Sequence, residues 1–387
     1  NMNGDITVYI REGAYELNDT LRFNQEDSGS NGYYVRYKAY ESEKVKISGG
    51  SKVVGWSEYK DGIYKAPYGD GSYVRQLSVN GNRARRAQTE NMEIITDLYD
   101  DTSDDKYTVD GLVFDSERFA DYKNKQDIQV HFSRGWYSVL LNTDDIRKSE
   151  DGKSIFFPSQ PDLQAIVKGN HPLKKELAVV IENAFEELDT PGEFYYDRVD
   201  KMLYYMPRSG EDMSDADVWA ARLETVLEVK GESGINKVTN IEFSGIEFAH
   251  GTWYRPAELG LKNGQAQGFN INPKDKVTDV PKGFVPSCIQ LQWAEKINFT
   301  NDTVKDMGAV GIGLYQGVNY CSFEENTFAD IADSAMTVGL PNQTYHDEVY
   351  EGFNLAADKP TTSSGETTAY PSSNVVDVNK KSIWSQS

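Results

Sequence analysis

The feature that most constrains this chain is a short pattern that returns in its last third. It reads IEFSGIEFAH at 241–250, INFTNDTVKD at 297–306 and CSFEENTFAD at 321–330. In register, Phe243, Phe299 and Phe323 coincide, Phe248, Val304 and Phe328 coincide five residues later, and His250, Asp306 and Asp330 coincide two residues after that. The last two copies lie 24 residues apart and the first two 56, one period plus about 32 residues, which the Gly-, Asn- and Pro-rich run between Thr252 and Ser287 supplies as a loop.

A fixed period in the twenties, made of short alternating strands with no helical stripe, is the signature of a solenoid whose every coil is one repeat. No repeat can bury its apolar positions alone, so stacked coils bury them jointly. Asn301, Asn319, Asn326, Gly308, Gly311, Gly313 and Gly317 fall where corners are needed, and residues of these types tolerate positive φ. The pattern predicts an all-β chain folded as a parallel β-helix.

The same rhythm opens the chain. DITVYI at 5–10 alternates with period two, a turn at Gly13 follows, and TLRF, YYVRYKAY and VKISGG come at similar spacing, so residues 1–67 read as the first coils. From 68 to 222 the segments lengthen into hairpins. Asn80-Gly81 suits a type I′ turn, and the Tyr-rich strands of GEFYYDRVDKMLYYMPR flank a polar turn at Arg198–Lys201. A moderately helical stretch is expected near 172–189. This region reads as an inserted β-rich domain of sandwich type. The coils resume at Thr225–Val229, so 223–350 is the main solenoid, and 351–387 combines a turn-rich linker with the opening of one more coil. The chain begins inside a strand pattern and stops inside a coil, so further sequence is expected at both ends, any export signal included.

Charge narrows the partners. With 40 basic against 61 acidic residues the net charge is −21. Nucleic acid and anionic membranes are disfavoured, because phosphate binding leans on clustered Lys and Arg, and an anionic glycan such as pectin is disfavoured for the same reason. No apolar run approaches the roughly 18 residues needed to cross a bilayer. The 24 Tyr and 6 Trp suit neutral sugars, whose apolar ring faces stack on aromatics. Cys288 and Cys321, one on each of two predicted strands, read as apolar fillers and indicate no redox compartment.

The aligned column is the candidate site. Equivalent positions on adjacent coils stack at roughly 4.8 Å, which makes Asp306 and Asp330 neighbours with His250 one coil further. Two close carboxylates repel, lifting one pKa and leaving the other ionised. Glycoside hydrolysis needs that split. The bland alternative is that an Asp after a strand merely caps a turn. Asp333, across the corner from Asp330, is the candidate partner. His250, Trp253, Tyr254, Arg255 and His346 are the candidate substrate-binding residues, with Trp253 and Tyr254 as sugar platforms. Asp347 and Glu348 beside His346 read as solvated. Arg83, Arg85 and Arg86 are expected to pair with nearby acids. The acidic runs at Asp100–Asp105 and Asp144–Asp145 read as solvated faces, with calcium as the lesser alternative and no organic cofactor implied.

Five stretches carry a resemblance: VYIREGAYELNDTLRF at 8–23, RQLSVNGNRARRAQT at 75–89, GEFYYDRVDKMLYYMPRSGEDM at 192–213, IEFSGIEFAHGTW at 241–253 and NTFADIADSAMTVG at 326–339. Together they resemble the bacterial right-handed parallel β-helix glycoside hydrolases, of α-L-fucosidase/xylanase, β-xylosidase and lacto-N-biosidase type. The resemblance implies a secreted hydrolase with acidic side chains on the β-helix face and no organic cofactor. It places Asp330 where such proteins often carry Asp, gives Asp306 less support, and implies that a second carboxylate can come from a later coil. The expectation is an extracellular enzyme cleaving neutral oligo- or polysaccharides. A polysaccharide lyase is the alternative, opposed by the scarcity of basic residues between 286 and 340, where only Lys296 and Lys305 occur. A non-catalytic carbohydrate-binding or adhesive β-helix is the third reading.

Overall fold

A computed structural model describes residues 2–100, 109–134, 137–159, 163, 166, 173–263, 268–270 and 282–339. Three parallel sheets of five strands each carry the repeat. The first stacks Ile6–Ile10, Val35–Ala39, Val238–Ser244, Ala294–Thr300 and Ser322–Glu324. The second stacks Gly13–Glu16, Val45–Ser48, Ile246–Ala249, Thr303–Met307 and Thr327–Ile331. The third stacks Leu21–Phe23, Leu227–Lys230, Ser287–Gln292, Val310–Leu314 and Met336–Val338. One strand from each sheet makes a coil, and the described residues make five coils, an arrangement consistent with a β-helix.

The register is the one the sequence repeat implies. Phe243 pairs Phe299, which pairs Phe323, and the rings stack with centroids 5.0 and 5.4 Å apart. Ile47, Phe248, Val304 and Phe328 form the parallel column on the second sheet. Residues of both columns fill one core with Val229, Ile289, Leu291 and Ile312. Burying each such side chain contributes on the order of 1.5–3 kcal/mol, and no coil has these contacts without its neighbours.

Corners between sheets need left-handed residues. Gly245, Asn301 and Glu325 supply them between the first and second sheets, with φ of 73°, 54° and 56°. His250, Asp306 and Asp330 supply them between the second and third, with φ of 60°, 53° and 51°. Among non-glycine residues, His, Asp and Asn are those enriched at positive φ. Gly311 and Gly313 mark no corner. They sit inside the strand Val310–Leu314, where a Cβ on Gly311 would lie 2.5 Å from the Ala335 carbonyl oxygen and one on Gly313 would strike Ser287 Oγ. Close coil stacking requires them to be glycine.

Two segments leave the solenoid, both between the second and third sheets. Residues after Ser48 build three sheets, antiparallel except where Arg85–Arg86 pairs Glu193–Asp197 in parallel, before the chain returns at Leu227. The predicted hairpin at Asn80-Gly81 is present, with Leu77–Val79 pairing Asn82–Arg83 and turn φ values of 50° and 73°. Glu193–Asp197 pairs Met202–Tyr205 as the second hairpin. The expected sandwich is instead a small barrel. Gln129–Arg134, Ala178–Glu182, Glu93–Tyr99, Gly111–Phe114, Ser154–Pro158 and Tyr137–Lys148 pair in that order, and the last pairs back on the first. The long, bulged strand Tyr137–Lys148 reaches two neighbours and closes the cylinder around Leu112, Phe114, Phe156 and Ile181. Ala178–Glu182 is a barrel strand where the composition suggested helix. The second excursion follows Thr252, and its strand Leu261–Asn263 adds to the barrel edge by pairing with Ser138–Leu140.

Candidate active site

The corner column runs from Gly49 through His250 and Asp306 to Asp330, one residue per coil. The structure separates its members by cover. His250 and Asp306 are buried, at 2% and 5% exposure, whereas Asp330 is exposed. The cover is the four-stranded sheet of the inserted domain. Ser78 Oγ donates to Asp306 Oδ2 at 3.0 Å, Gln76 Oε1 accepts from Thr252 Oγ1 at 2.5 Å, and Lys305 Nζ donates to the Gly81 carbonyl at 2.6 Å. Arg83 reaches furthest. Its guanidinium donates to the carbonyls of Met307, at 3.0 Å, and of Asp330.

Around His250 the contacts imitate a nucleophile, base and acid. Ser48 Oγ lies 2.8 Å from His250 Nδ1, His250 Nε2 lies 3.8 Å from Asp306 Oδ2, and the Trp219 ring stacks on the imidazole at 5.2 Å. The chemistry does not follow. Burial, with Lys46 nearby, lowers the His250 pKa to about 3, so the ring is neutral and the 3.8 Å approach is not an ion pair. Ser48 is fully buried, and the space enclosed by Ser78, Arg83, Trp219, His250 and Asp306 leaves no room for a water molecule. This cluster seats the insert on the coils.

Burial is the main cause raising the Asp306 pKa, opposed by the Ser78 hydrogen bond, Lys305 and Arg83, while Asp330 adds a smaller upward push. The rise at Asp306 thus owes more to desolvation than to repulsion by its neighbour. Asp306 Oδ1 is buried and meets no hydrogen-bond partner, in keeping with the desolvation that raises this carboxyl's pKa. Asp333 is half-buried, and its Oδ1 accepts from the Ser334 amide at 2.7 Å, which fixes its orientation at the corner. Among the described members of the column Asp330 is thus the exposed carboxylate, with half-buried Asp333 three residues on.

The other candidates are placed as follows. Trp253 is buried in the solenoid core rather than presented as a platform. Tyr254 is half-buried, its hydroxyl donating to the Arg222 carbonyl at 2.7 Å and its pKa pushed by burial up to about 12. Arg255 begins the helical turn Arg255–Glu258. His346, Asp347 and Glu348 lie outside the described residues, as does most of Asp100–Asp105. Arg85 pairs Glu193 at 2.8 Å and Arg86 pairs Glu182 at 2.6 Å, as expected, while Arg83 serves backbone carbonyls instead. Asp145 pairs Arg147, and Asp144 accepts from Ser159. Among the described residues, no group of three or more His, Cys, Asp or Glu side chains is arranged to hold a metal.

Sequence reasoning missed an open groove of about 570 Å³ on the outer face of the second sheet, lined by Glu12, Glu43, Lys46, Glu247, Asn301 and Thr303. It is roomy enough for sugar rings, but two of its acids are neutralised. Glu43 is held by Arg11 at 2.7 Å and Glu247 by Lys46 at 3.2 Å. Outward positions on strands look alike in sequence, and only the curvature of the coils makes a groove of them.

Fold and site together define a coiled all-β protein with an antiparallel barrel inserted at one corner. Residues 65–208 match the family model described as the GH141 insertion domain. A solved structure named "Glycoside hydrolase" superposes with a TM-score of 0.73 at 24% identity, covering 87% of this chain and 60% of that one. The likeness shows the fold, and this chain spans about three fifths of that protein's length. A second, solved as the complex structure of XylC with xylose, covers 80% of this chain and 36% of its own at 13% identity, and its TM-score of 0.34 supports no argument. No curated protein matches the chain. The resemblance to glycoside hydrolases seen in the sequence is thus met twice, in the inserted domain and in the fold.

Proposed function

We propose that this chain is the larger part of an extracellular glycoside hydrolase built on a right-handed β-helix, cleaving neutral oligo- or polysaccharides with carboxyl side chains at the corner between its second and third sheets. The observation that carries the reading is the change in cover along the corner column: Asp306 is sealed, and Asp330 on the next coil is open with Asp333 beside it. The match of residues 65–208 to the GH141 insertion domain supports the reaction class.

In this reading Asp330 and Asp333 approach the glycosidic bond, one as the acid that protonates the leaving oxygen and the other as nucleophile or base. Asp306 touches no substrate. Its buried carboxyl sits behind Asp330 as a positioning group, held by Ser78. Arg83 fixes the backbone of the Asp330 corner from the insert side. The surface, at net charge −21, repels anionic glycans and favours neutral ones.

The test is release of sugar from a panel of aryl glycosides and neutral oligosaccharides by the parent, Asp330→Asn and Asp306→Asn, with and without EDTA. Expected is release that Asp330→Asn lowers by about 10³-fold or more, from loss of one general catalyst and its charge, while EDTA has no effect. Release undiminished in Asp330→Asn would remove that residue from the chemistry, and glycan binding with no release would leave a binding module.

A further inference from the structure

A second polar site lies away from the corner, where the first strands of the insert meet the barrel. There Tyr73, Arg75, Arg86, Asp127, Gln129, Asn142, Asn183 and Arg198 surround a narrow cavity of about 10 Å³, the space of one water-sized occupant. Three guanidinium groups face it. Arg86 is paired with Glu182 and donates to Gln129 at 2.5 Å. Arg198 is paired with Asp127 at 2.7 Å. Arg75 stands differently: its Nε and Nη1 are sealed from solvent and meet no hydrogen-bond acceptor, although part of the residue remains exposed.

The charges do not balance. Three guanidinium groups stand against the carboxylates of Asp127 and Glu182, and Glu182 also serves His131 at 3.1 Å. An arginine does not shed its proton in a protein, and a buried charge without a counter-charge is strongly unfavourable. Burial and the neighbouring Arg86 lower the Arg75 pKa to about 9 against the upward pull of Glu182, which Arg86 and His131 already engage. The carboxamides of Gln129 and Asn142 already share a hydrogen bond, and Asn183 donates to the Asp127 carbonyl. The polar lining is therefore organised around the gap rather than across it.

We propose that this cavity binds a small monovalent inorganic anion, a halide, with Arg75 as its principal donor. The ion completes the charge of a joint that fastens the barrel to the rest of the insert. The site is too small for a sugar and is independent of the hydrolase reading. The experiment uses the whole chain with sodium bromide, against sodium gluconate at equal ionic strength, and follows thermal unfolding alongside Arg75→Gln. Expected is a saturable rise in Tm with bromide that gluconate does not produce and Arg75→Gln does not show, because a ligand bound only to the folded state stabilises it in proportion to its occupancy. Equal rises in both salts, or an unchanged bromide response in Arg75→Gln, would overturn the proposal. Should that variant fail to fold, crystals of the parent soaked in bromide decide: an anomalous peak beside Arg75 supports the site, and a cavity holding only water refutes it.

Discussion

Asp302 offers the sharpest test of how the coils are built. It lies at the inner corner between the first and second sheets, fully enclosed at 1% exposure. In the next coil the equivalent residue is Asn326, whose Oδ1 accepts from the Asp302 amide at 2.8 Å while its Nδ2 donates to the Phe299 carbonyl at 2.9 Å. Asp302 repeats half of this: its Oδ1 accepts from the Ile246 amide at 2.8 Å. Its Oδ2, the counterpart of the Asn326 donor, is buried and meets no hydrogen-bond partner. Burial raises its pKa to about 7, with nearby Glu242 adding to the rise and the amides of Ile246 and Thr300 opposing it. A rise from the ordinary 3.8 to about 7 corresponds to about 4 kcal/mol. The unfolded chain loses this proton near pH 3.8 and the folded chain near pH 7. The Asp302 contribution is therefore complete below pH 3.8, declines as pH rises and is gone above about pH 7. His250, with its pKa lowered to about 3, slopes the other way over much of that range, so the parent's profile alone is uninformative. The comparison with Asp302→Asn isolates the carboxyl. Urea unfolding at pH 4 and pH 8 is expected to show the variant gaining up to about 4 kcal/mol relative to the parent between the two, since an amide completes the ladder without ionising. Equal pH slopes in the two proteins, or a variant less stable at pH 8, would refute the argument.

Other expectations follow from single contacts. Phe299→Ala removes a fully buried ring stacked between Phe243 and Phe323 and should cost about 3–5 kcal/mol in urea unfolding. Gly317→Ala places a Cβ against the Trp293 ring at a φ of 74°, and should cost about 2–4 kcal/mol by the same assay. The Cys288 thiol is fully buried, and burial raises its pKa to about 12, so it should stay unlabelled by a thiol reagent until the protein unfolds, whereas half-buried Cys321 should label first. His250 should show no titration of its ring resonances between pH 5 and 8, and a transition in that window would contradict its neutral, buried setting.

The solenoid was legible because its physics is periodic. Phe243, Phe299 and Phe323 must recur at one spacing for their rings to stack, and that spacing can be read without coordinates. The Asn80-Gly81 turn was legible for a local reason, since few residue pairs accept two consecutive positive φ values. Barrel closure was not, because the pairing of Gln129–Arg134 with Tyr137–Lys148 that seals the cylinder looks in sequence like any other hairpin. Nor was the fate of the column. His250, Asp306 and Asp330 are equivalent in the repeat, and their different exposure is imposed by a domain whose contact residues, Ser78 and Arg83, lie more than 160 residues earlier. Trp253 misled for the same reason. A tryptophan just past a strand suits a platform as well as a core, and only the coil beyond it decides.

Where the cover ends is therefore the architectural fact on which the proposed site rests. Both excursions leave the solenoid between the second and third sheets, after Ser48 and after Thr252, while the next two coils cross the same corner in short turns. The insert settles over this corner, filling the column with buried hydrogen bonds as far as Asp306, and its last reach is Arg83 on the Asp330 carbonyl. A glycan needs a carboxylate that is both accessible and rigidly held. The covered coils hold theirs rigidly but out of reach of a sugar. At the Asp330 coil the backbone is still pinned by the insert and the side chain is exposed, so the edge of the insert, rather than the repeat itself, sets the different cover of equivalent corner residues among the described coils.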